Sequence, residues 1–269
     1  MDQNMSQATA TEGICVAIRM RPLNDRELSG GQEAVFRCTS KDNRIAQLKD
    51  NQVVEGQVYH YDKVFDEHAT TAEVYTHVGR NAVKNVAAGI NGTIFACKCN
   101  EGICVVTLRK RSDSHQLTNY LLSVLQDGQT SSGKTHTMLG GGDQRGVLEM
   151  AAEDIFNQIS ESTSRDFLLR VSFVEIYNEM IRDLLSDAAD TSVTIREDPK
   201  KGVYCDAIEI IITDYESIIK ALKKGMNHMT PTISDIKSAY ETIHHVYLSL
   251  PYFLIYRNIE ESCRGHLNE

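Results

Sequence analysis

The sequence predicts an α/β fold built in layers, and three observations carry that prediction. Strand-like apolar runs alternate with segments of helical periodicity along most of the chain. The run from Phe167 to Tyr177 has few polar breaks, as expected of a strand covered on both faces. Gly128-Gln129-Thr130-Ser131-Ser132-Gly133-Lys134-Thr135 fits G-x-x-x-x-G-K-[ST], a phosphate-binding loop that joins a strand to a helix.

The elements follow in order. Residues 1–12 are polar and read as a disordered tail. Ile14 to Met20 reads as a buried strand, and Gln57 to Phe65 as extended chain. Thr71 to Gly89 reads as a helix whose inward face is Val74, Val78, Ala82, Val83 and Val86. Asn91-Gly92 turns into a strand at Thr93 to Ala96. A helix opens near Gly133 and continues past Lys134. Val147 to Ser160 is helical, with Leu148, Ala152, Ile155, Phe156 and Ile159 inward. Ile210-Ile211-Ile212-Thr213-Asp214 resembles an apolar strand ending in a Mg²⁺-coordinating aspartate, but a helix start is the stronger reading. Thr213-x-x-Glu216 is expected to be a capping box, opening a helix through Lys224 with Gly225 as its stop.

The phosphate loop needs its residue types where they stand. Glycines let backbone N–H groups curl around phosphate oxygens without Cβ clashes. Lys134 can reach the β- and γ-phosphates as a point charge. The Thr135 hydroxyl is placed to ligate Mg²⁺. No catalytic base is assigned.

Other motifs stand around this loop. Asn91-Gly92-Thr93-Ile94-Phe95-Ala96 and Gly128 through His136-Thr137-Met138 together resemble the kinesin motor-domain pattern N-G-T-I-F-A-Y-G-Q-T-[SA]-S-G-K-T-[HY]-T-M. Arg19-Met20-Arg21-Pro22 resembles that family's R-x-R-P, and Tyr61-Asp62-Lys63-Val64-Phe65 its [FY]-D-x-V-F. Glu175-Ile176-Tyr177-Asn178-Glu179 with Ile181 and Asp183-Leu184-Leu185 resembles its E-I-Y-N-E-x-I-x-D-L-L. Phe167 to Ser172 and Ile195 to Asp198 are most similar to the centromere-associated, kinesin-7 branch. The likeness covers residues 13–225 apart from an atypical insertion at 97–127. It implies a three-layer P-loop NTPase with a central, mainly parallel sheet flanked by helices. It also implies ATP and Mg²⁺ as ligands and movement along microtubules. Arg19, Arg21, Pro22 and His136 would then flank the adenine, and Lys200 and Lys201 would lie on a loop facing tubulin.

Two stretches depart from the family. Residues 97–127 stand where kinesins have one aromatic residue. Val105 to Leu108 reads as a short strand, and Thr118 to Gln126 as an amphipathic helix with Leu121, Leu122 and Leu125 on one side. Arg109-Lys110-Arg111 reads as a solvated basic cluster. Cys97, Cys99 and Cys104 do not match a common zinc spacing and read as free thiols. Cys97-Lys98-Cys99 is also encodable with a consensus splice donor, which gives the insertion the form of a retained intron. Residues 226–269 read as an unrelated tail, in which Val246 to Tyr256 is apolar and aromatic around Pro251. The switch motifs N-x-x-S-S-R-S-H and D-L-A-G-S-E are not in the sequence. Without them, unpaired sheet edges and weak hydrolysis are expected.

Composition narrows the class. Net charge is −9, so there is no overall basic footprint for nucleic acid. Seven cysteines show no paired framework, and the N-terminus lacks an apolar signal core, so a reducing cytoplasmic setting is expected. The apolar part of the tail is too short to span a bilayer. No heptad run encodes a coiled coil for dimerisation. Two functional readings result: a kinesin-type ATPase on microtubules, or a hydrolysis-deficient, non-motile fragment with at most nucleotide binding.

Overall fold

The computed structural model describes residues 14–87, 91–99, 103–111, 120–127, 133–161, 166–177, 180–188, 191–199, 202–229, 242–250 and 252–253. The chain enters on β1 (Ile14–Met20), whose Ala17 and Ile18 are both buried on opposite faces. A short helix α1 (Asp25–Ser29) follows, opened by an Asn24/Glu27 capping box. Next, β2 (Phe36–Thr39), β3 (Arg44–Lys49) and β4 (Gln52–His60) form a separate antiparallel sheet. β5 (Lys63–Phe65) then returns parallel to β1.

The predicted long helix is present in three pieces. α2 (Thr71–Val74) opens on a Thr70/Glu73 capping box, a π-helical turn spans Tyr75–Gly79, and α3 (Arg80–Ala87) completes it. Val74, Val78, Ala82, Val83 and Val86 are all buried, as their spacing requires. β6 (Asn91–Cys99) turns back antiparallel into β7 (Ile103–Arg111), which pairs along the full length of β1.

The predicted helix at Thr118 to Gln126 is instead a strand, β8 (Tyr120–Asp127). Leu121, Leu122, Val124 and Leu125 form a nearly unbroken apolar run, which suits a strand with ladders on both edges. β8 lies parallel to β6, with Ala96 opposite Gln126. Asp127, the last residue of β8, directly precedes Gly128 in the sequence. On its other edge β8 pairs antiparallel with a strand far down the chain, described below.

Beyond the phosphate loop, α4 (Lys134–Leu139) runs six residues to Gly140. A small hairpin of β9 (Gly140–Gly141) and β10 (Gln144–Arg145) leads to α5 (Val147–Glu161). On α5, Leu148, Ala152 and Ile155 are buried, while Phe156 and Ile159 pack at the margin of the core. β11 (Asp166–Phe167) precedes the long strand β12 (Leu169–Tyr177), which forms a hairpin with β13 (Met180–Asp183). A second hairpin joins β14 (Ile195–Asp198) to β15 (Gly202–Cys205), and β16 (Ile210–Ile212) lies along β12. The last helix is α6 (Tyr215–His228). Then β17 (Thr242–Leu250) inserts between β8 and β12, and β18 (Tyr252–Phe253) pairs with β11.

Three sequence expectations are corrected here. First, the main sheet runs β13-β12-β17-β8-β6-β7-β1-β5 and is mixed rather than mainly parallel, with β1–β5 and β6–β8 its parallel pairs. Short reversals such as that between β6 and β7 force antiparallel neighbours. Second, β7, β8 and β17 pair inside the sheet, so β1, β6 and β12 each have neighbours on both sides, and the sheet ends at β13 and β5. Third, α6 is capped by Asp214 and Ser217, not by Thr213 and Glu216, and it runs past Gly225. Gly225 is buried, and a Cβ there would lie 2.0 Å from the Phe173 ring. Glycine serves close helix-to-strand contact at this position rather than stopping the helix.

One main core unites the elements. Ala17 of β1, Ile94 and Ala96 of β6, and Val171 and Phe173 of β12 meet the apolar faces of α2 through α6. Behind β1, Ile18 packs with Ile45 and the flanking Val16, Phe36 and Tyr61.

Candidate functional site

The site forms where β1, α2 and α4 converge. Gly133 stands at φ +89, a left-handed conformation that favours glycine, and caps the N-terminus of α4. Its carbonyl accepts two bonds, one from the Thr137 N–H and one from the Thr137 hydroxyl, both at 3.0 Å. Lys134 follows at the first helical position and is only 3% exposed. Burial of an ammonium is costly unless charge or hydrogen-bond partners compensate, and Lys134 is not without a partner in the fold. Thr135 and His136 are exposed on the same turn. The His136 imidazole is held below its ordinary range, first by burial and then by the nearby Arg19 charge.

β1 delivers both arginines, and the structure uses them differently. The Arg19 guanidinium reaches across to α2 and α4. It donates to Thr71 Oγ1 at 3.0 Å, to Thr137 Oγ1 at 2.9 Å and to the Ala69 carbonyl at 2.9 Å. Arg21 makes a bidentate pair with Glu27, Nη1 to Oε2 at 2.7 Å and Nη2 to Oε1 at 2.5 Å. That fork holds the Glu27 carboxyl down at about 2, with the Asn24 N–H as second cause. The aliphatic stem of Arg21 lies against Gly133, since a Cβ built there would come 3.7 Å from Arg21 Cβ. Pro22 is exposed and its carbonyl accepts from Arg21 Nη1 at 2.9 Å.

Thus Arg19, Arg21, Gly133, Lys134 and His136 come together from two distant parts of the chain. Gly128, Gln129, Thr130, Ser131 and Ser132 lie outside the described residues, as do Lys200 and Lys201. The disordered-tail expectation for residues 1–12 also falls outside them. Among the described residues no group of His, Cys, Asp and Glu side chains is arranged to hold a metal ion, and Cys15, Cys38 and Cys205 are free thiols. No described helix is long and apolar enough to cross a membrane.

Sequence reasoning missed Glu27, Thr71 and Thr137. Asn24-x-x-Glu27 carries a capping-box signal that would have found the first. Thr137, four residues after Gly133, sits one helical turn on, which is the spacing for its back-bond to the Gly133 carbonyl.

A glycine-capped helix starting on Gly-Lys-Thr and reached from a central strand defines a phosphate-loop NTPase. The family model for the kinesin motor domain matches residues 19–97 and 108–248. The chain belongs to the kinesin motor-domain family. It is 37% identical over 198 residues to kinesin-like protein KIN-7M, chloroplastic, of Arabidopsis thaliana, covering 74% of this chain and 15% of that protein. It is 35% identical over 219 residues to centromere-associated protein E of Homo sapiens, covering 80% and 7%. It is 33% identical over 263 residues to kinesin-like protein KIN-7G of Oryza sativa subsp. japonica, covering 97% and 24%. These relatives bear out the resemblance to the kinesin-7 branch. The chain spans at most about a quarter of the length of these curated relatives.

Proposed function

We propose that this chain binds ATP with Mg²⁺ on the loop Gly128–Thr135 and acts as part of a microtubule motor. The observation that carries the proposal is the buried Lys134 immediately after a left-handed Gly133, inside a matched kinesin motor domain. Lys134 would meet the β- and γ-phosphates, and the exposed Thr135 hydroxyl would ligate Mg²⁺. Mg²⁺ would neutralise charge developing on the transferred phosphoryl group. Arg21, Pro22 and His136 would border the base, and Lys200 and Lys201 would face acidic tubulin. The working location would be the cytoplasmic microtubule array.

A second reading is nucleotide binding without turnover. Asp214 favours it. This aspartate superficially resembles a Mg²⁺-side carboxylate at the end of an apolar strand, but both its oxygens are engaged locally at the start of α6. Oδ1 accepts from the Ser217 N–H at 2.7 Å, and Oδ2 accepts from Thr213 Oγ1 at 2.8 Å. The deciding experiment is ATP turnover by the purified chain with and without microtubules, beside Lys134→Ala. Microtubule-stimulated turnover that depends on Lys134 supports the motor reading. Lys134-dependent binding with no turnover supports the second.

A further inference from the structure

We infer that Arg19 is a positioning residue of the phosphate loop, acting through its guanidinium; the inference rests on the nucleotide-site reading above. Its guanidinium is occupied within the fold. Nη1 is shared by Thr71 Oγ1 and Thr137 Oγ1, and Nη2 by the Ala69 carbonyl. Thr71 is 2% exposed and Thr137 is 1% exposed, so these bonds sit in a dry setting where each is strong.

The direction of the relay is fixed by chemistry. A guanidinium has no acceptor, so the Thr137 hydroxyl must accept from Arg19. Its single proton is then free for one acceptor, and that acceptor is the Gly133 carbonyl at 3.0 Å. The Thr137 N–H binds the same carbonyl, so both lone pairs of that oxygen are used. The peptide between Gly133 and Lys134 is planar and trans, so holding its carbonyl toward the helix aims the Lys134 N–H the opposite way. Arg19 thereby orients, through Thr137, the peptide on which the phosphate-binding lysine stands. It also ties α4 to the start of α2 through Thr71.

The arrangement makes a prediction that base contact does not. Loss of Arg19 must weaken binding to the phosphates themselves, whatever is attached to them. The test measures equilibrium binding of Mg²⁺–ATP, Mg²⁺–GTP and Mg²⁺–tripolyphosphate by calorimetry. It uses the parent chain, Arg19→Met, Thr137→Val, the double variant and Thr137→Ser, with far-ultraviolet circular dichroism to confirm folding. Arg19→Met is expected to weaken all three ligands by the same factor, roughly tenfold for a lost charge-assisted bond. Thr137→Val should match it, the double variant should add less than about twofold because the two residues act in one chain of bonds, and Thr137→Ser should behave like the parent. Loss of ATP affinity with tripolyphosphate unchanged, or full additivity in the double variant, overturns the inference. If Arg19→Met does not fold, the Thr137 pair decides: weaker tripolyphosphate binding in Thr137→Val alone supports the relay, and equal binding in both overturns it. A parent chain that binds none of the three ligands overturns the nucleotide-site reading itself, and the inference with it.

Discussion

Gly133 and Gly225 show two different reasons for the same residue. At Gly133 the backbone lies at φ +89, while a Cβ would meet only ordinary contact with Arg21 at 3.7 Å. Gly133→Ala should therefore cost about 1–2 kcal/mol through backbone strain, together with weaker phosphate binding; urea unfolding and ATP calorimetry check both. At Gly225 the backbone is helical, and alanine would gain about 1 kcal/mol of helix propensity. Against that, its Cβ would press 2.0 Å from the ring of Phe173, which is fully buried and has nowhere to move. Overpacking of this kind costs about 1–3 kcal/mol. Packing wins, and Gly225→Ala should show a lower urea midpoint. Glu27 supplies a pH signature. Its folded-state pKa of about 2 lies below the ordinary 4.5, so its contribution is complete above pH 4.5 and is lost as pH falls toward 2. Acid titration of stability should be shallower across that window in Glu27→Gln than in the parent.

Among the elements, α6 and β8 diverge most from what spacing alone suggests. For α6, Asp214 Oδ1 accepts from the Ser217 N–H and the Ser217 hydroxyl lies 3.3 Å from the Asp214 N–H, a reciprocal cap one residue later than expected. Asp214→Ala should cost about 1 kcal/mol, measured by denaturant unfolding. Thr213-x-x-Glu216 fits the S/T-x-x-E pattern and Asp214-x-x-Ser217 does not, so the residue pattern points to the wrong one of two overlapping caps. For β8, four apolar residues in five positions satisfy helix and strand templates alike. The choice is made by ladders to β6 and β17, partners that lie outside any local window. Val124 stands opposite Ile94 on one side and Val246 on the other. Proline there would remove a ladder donor from the sheet interior, so Val124→Pro should destabilise by about 1–3 kcal/mol or more, read as a fall in the urea midpoint. By contrast, α2–α3 and α5 were legible because their buried residues recur every three to four positions on one face.

At the scale of the whole molecule, the main sheet runs open from β13 to β5, and its inner strands β7, β8 and β17 come from widely separated parts of the chain. That arrangement was not legible, because the pairing of β8 with β17 joins residues more than a hundred positions apart in register, as in Val124 with Val246. The phosphate loop was legible, because its chemistry fixes residue types at short spacing. Its support was not: Arg19 meets Thr137 across 118 positions, and no local pattern announces that contact. The account's central claim is that Lys134, set behind Gly133 and buried at the head of α4, binds nucleotide phosphates. The most direct test is calorimetric binding of Mg²⁺–ATP to the parent chain and to Lys134→Ala, with circular dichroism to show both folded. The account predicts binding by the parent and a loss of about tenfold to a hundredfold or more in the variant, as expected when a charged hydrogen-bond donor is removed. Equal affinity in two folded proteins would contradict it.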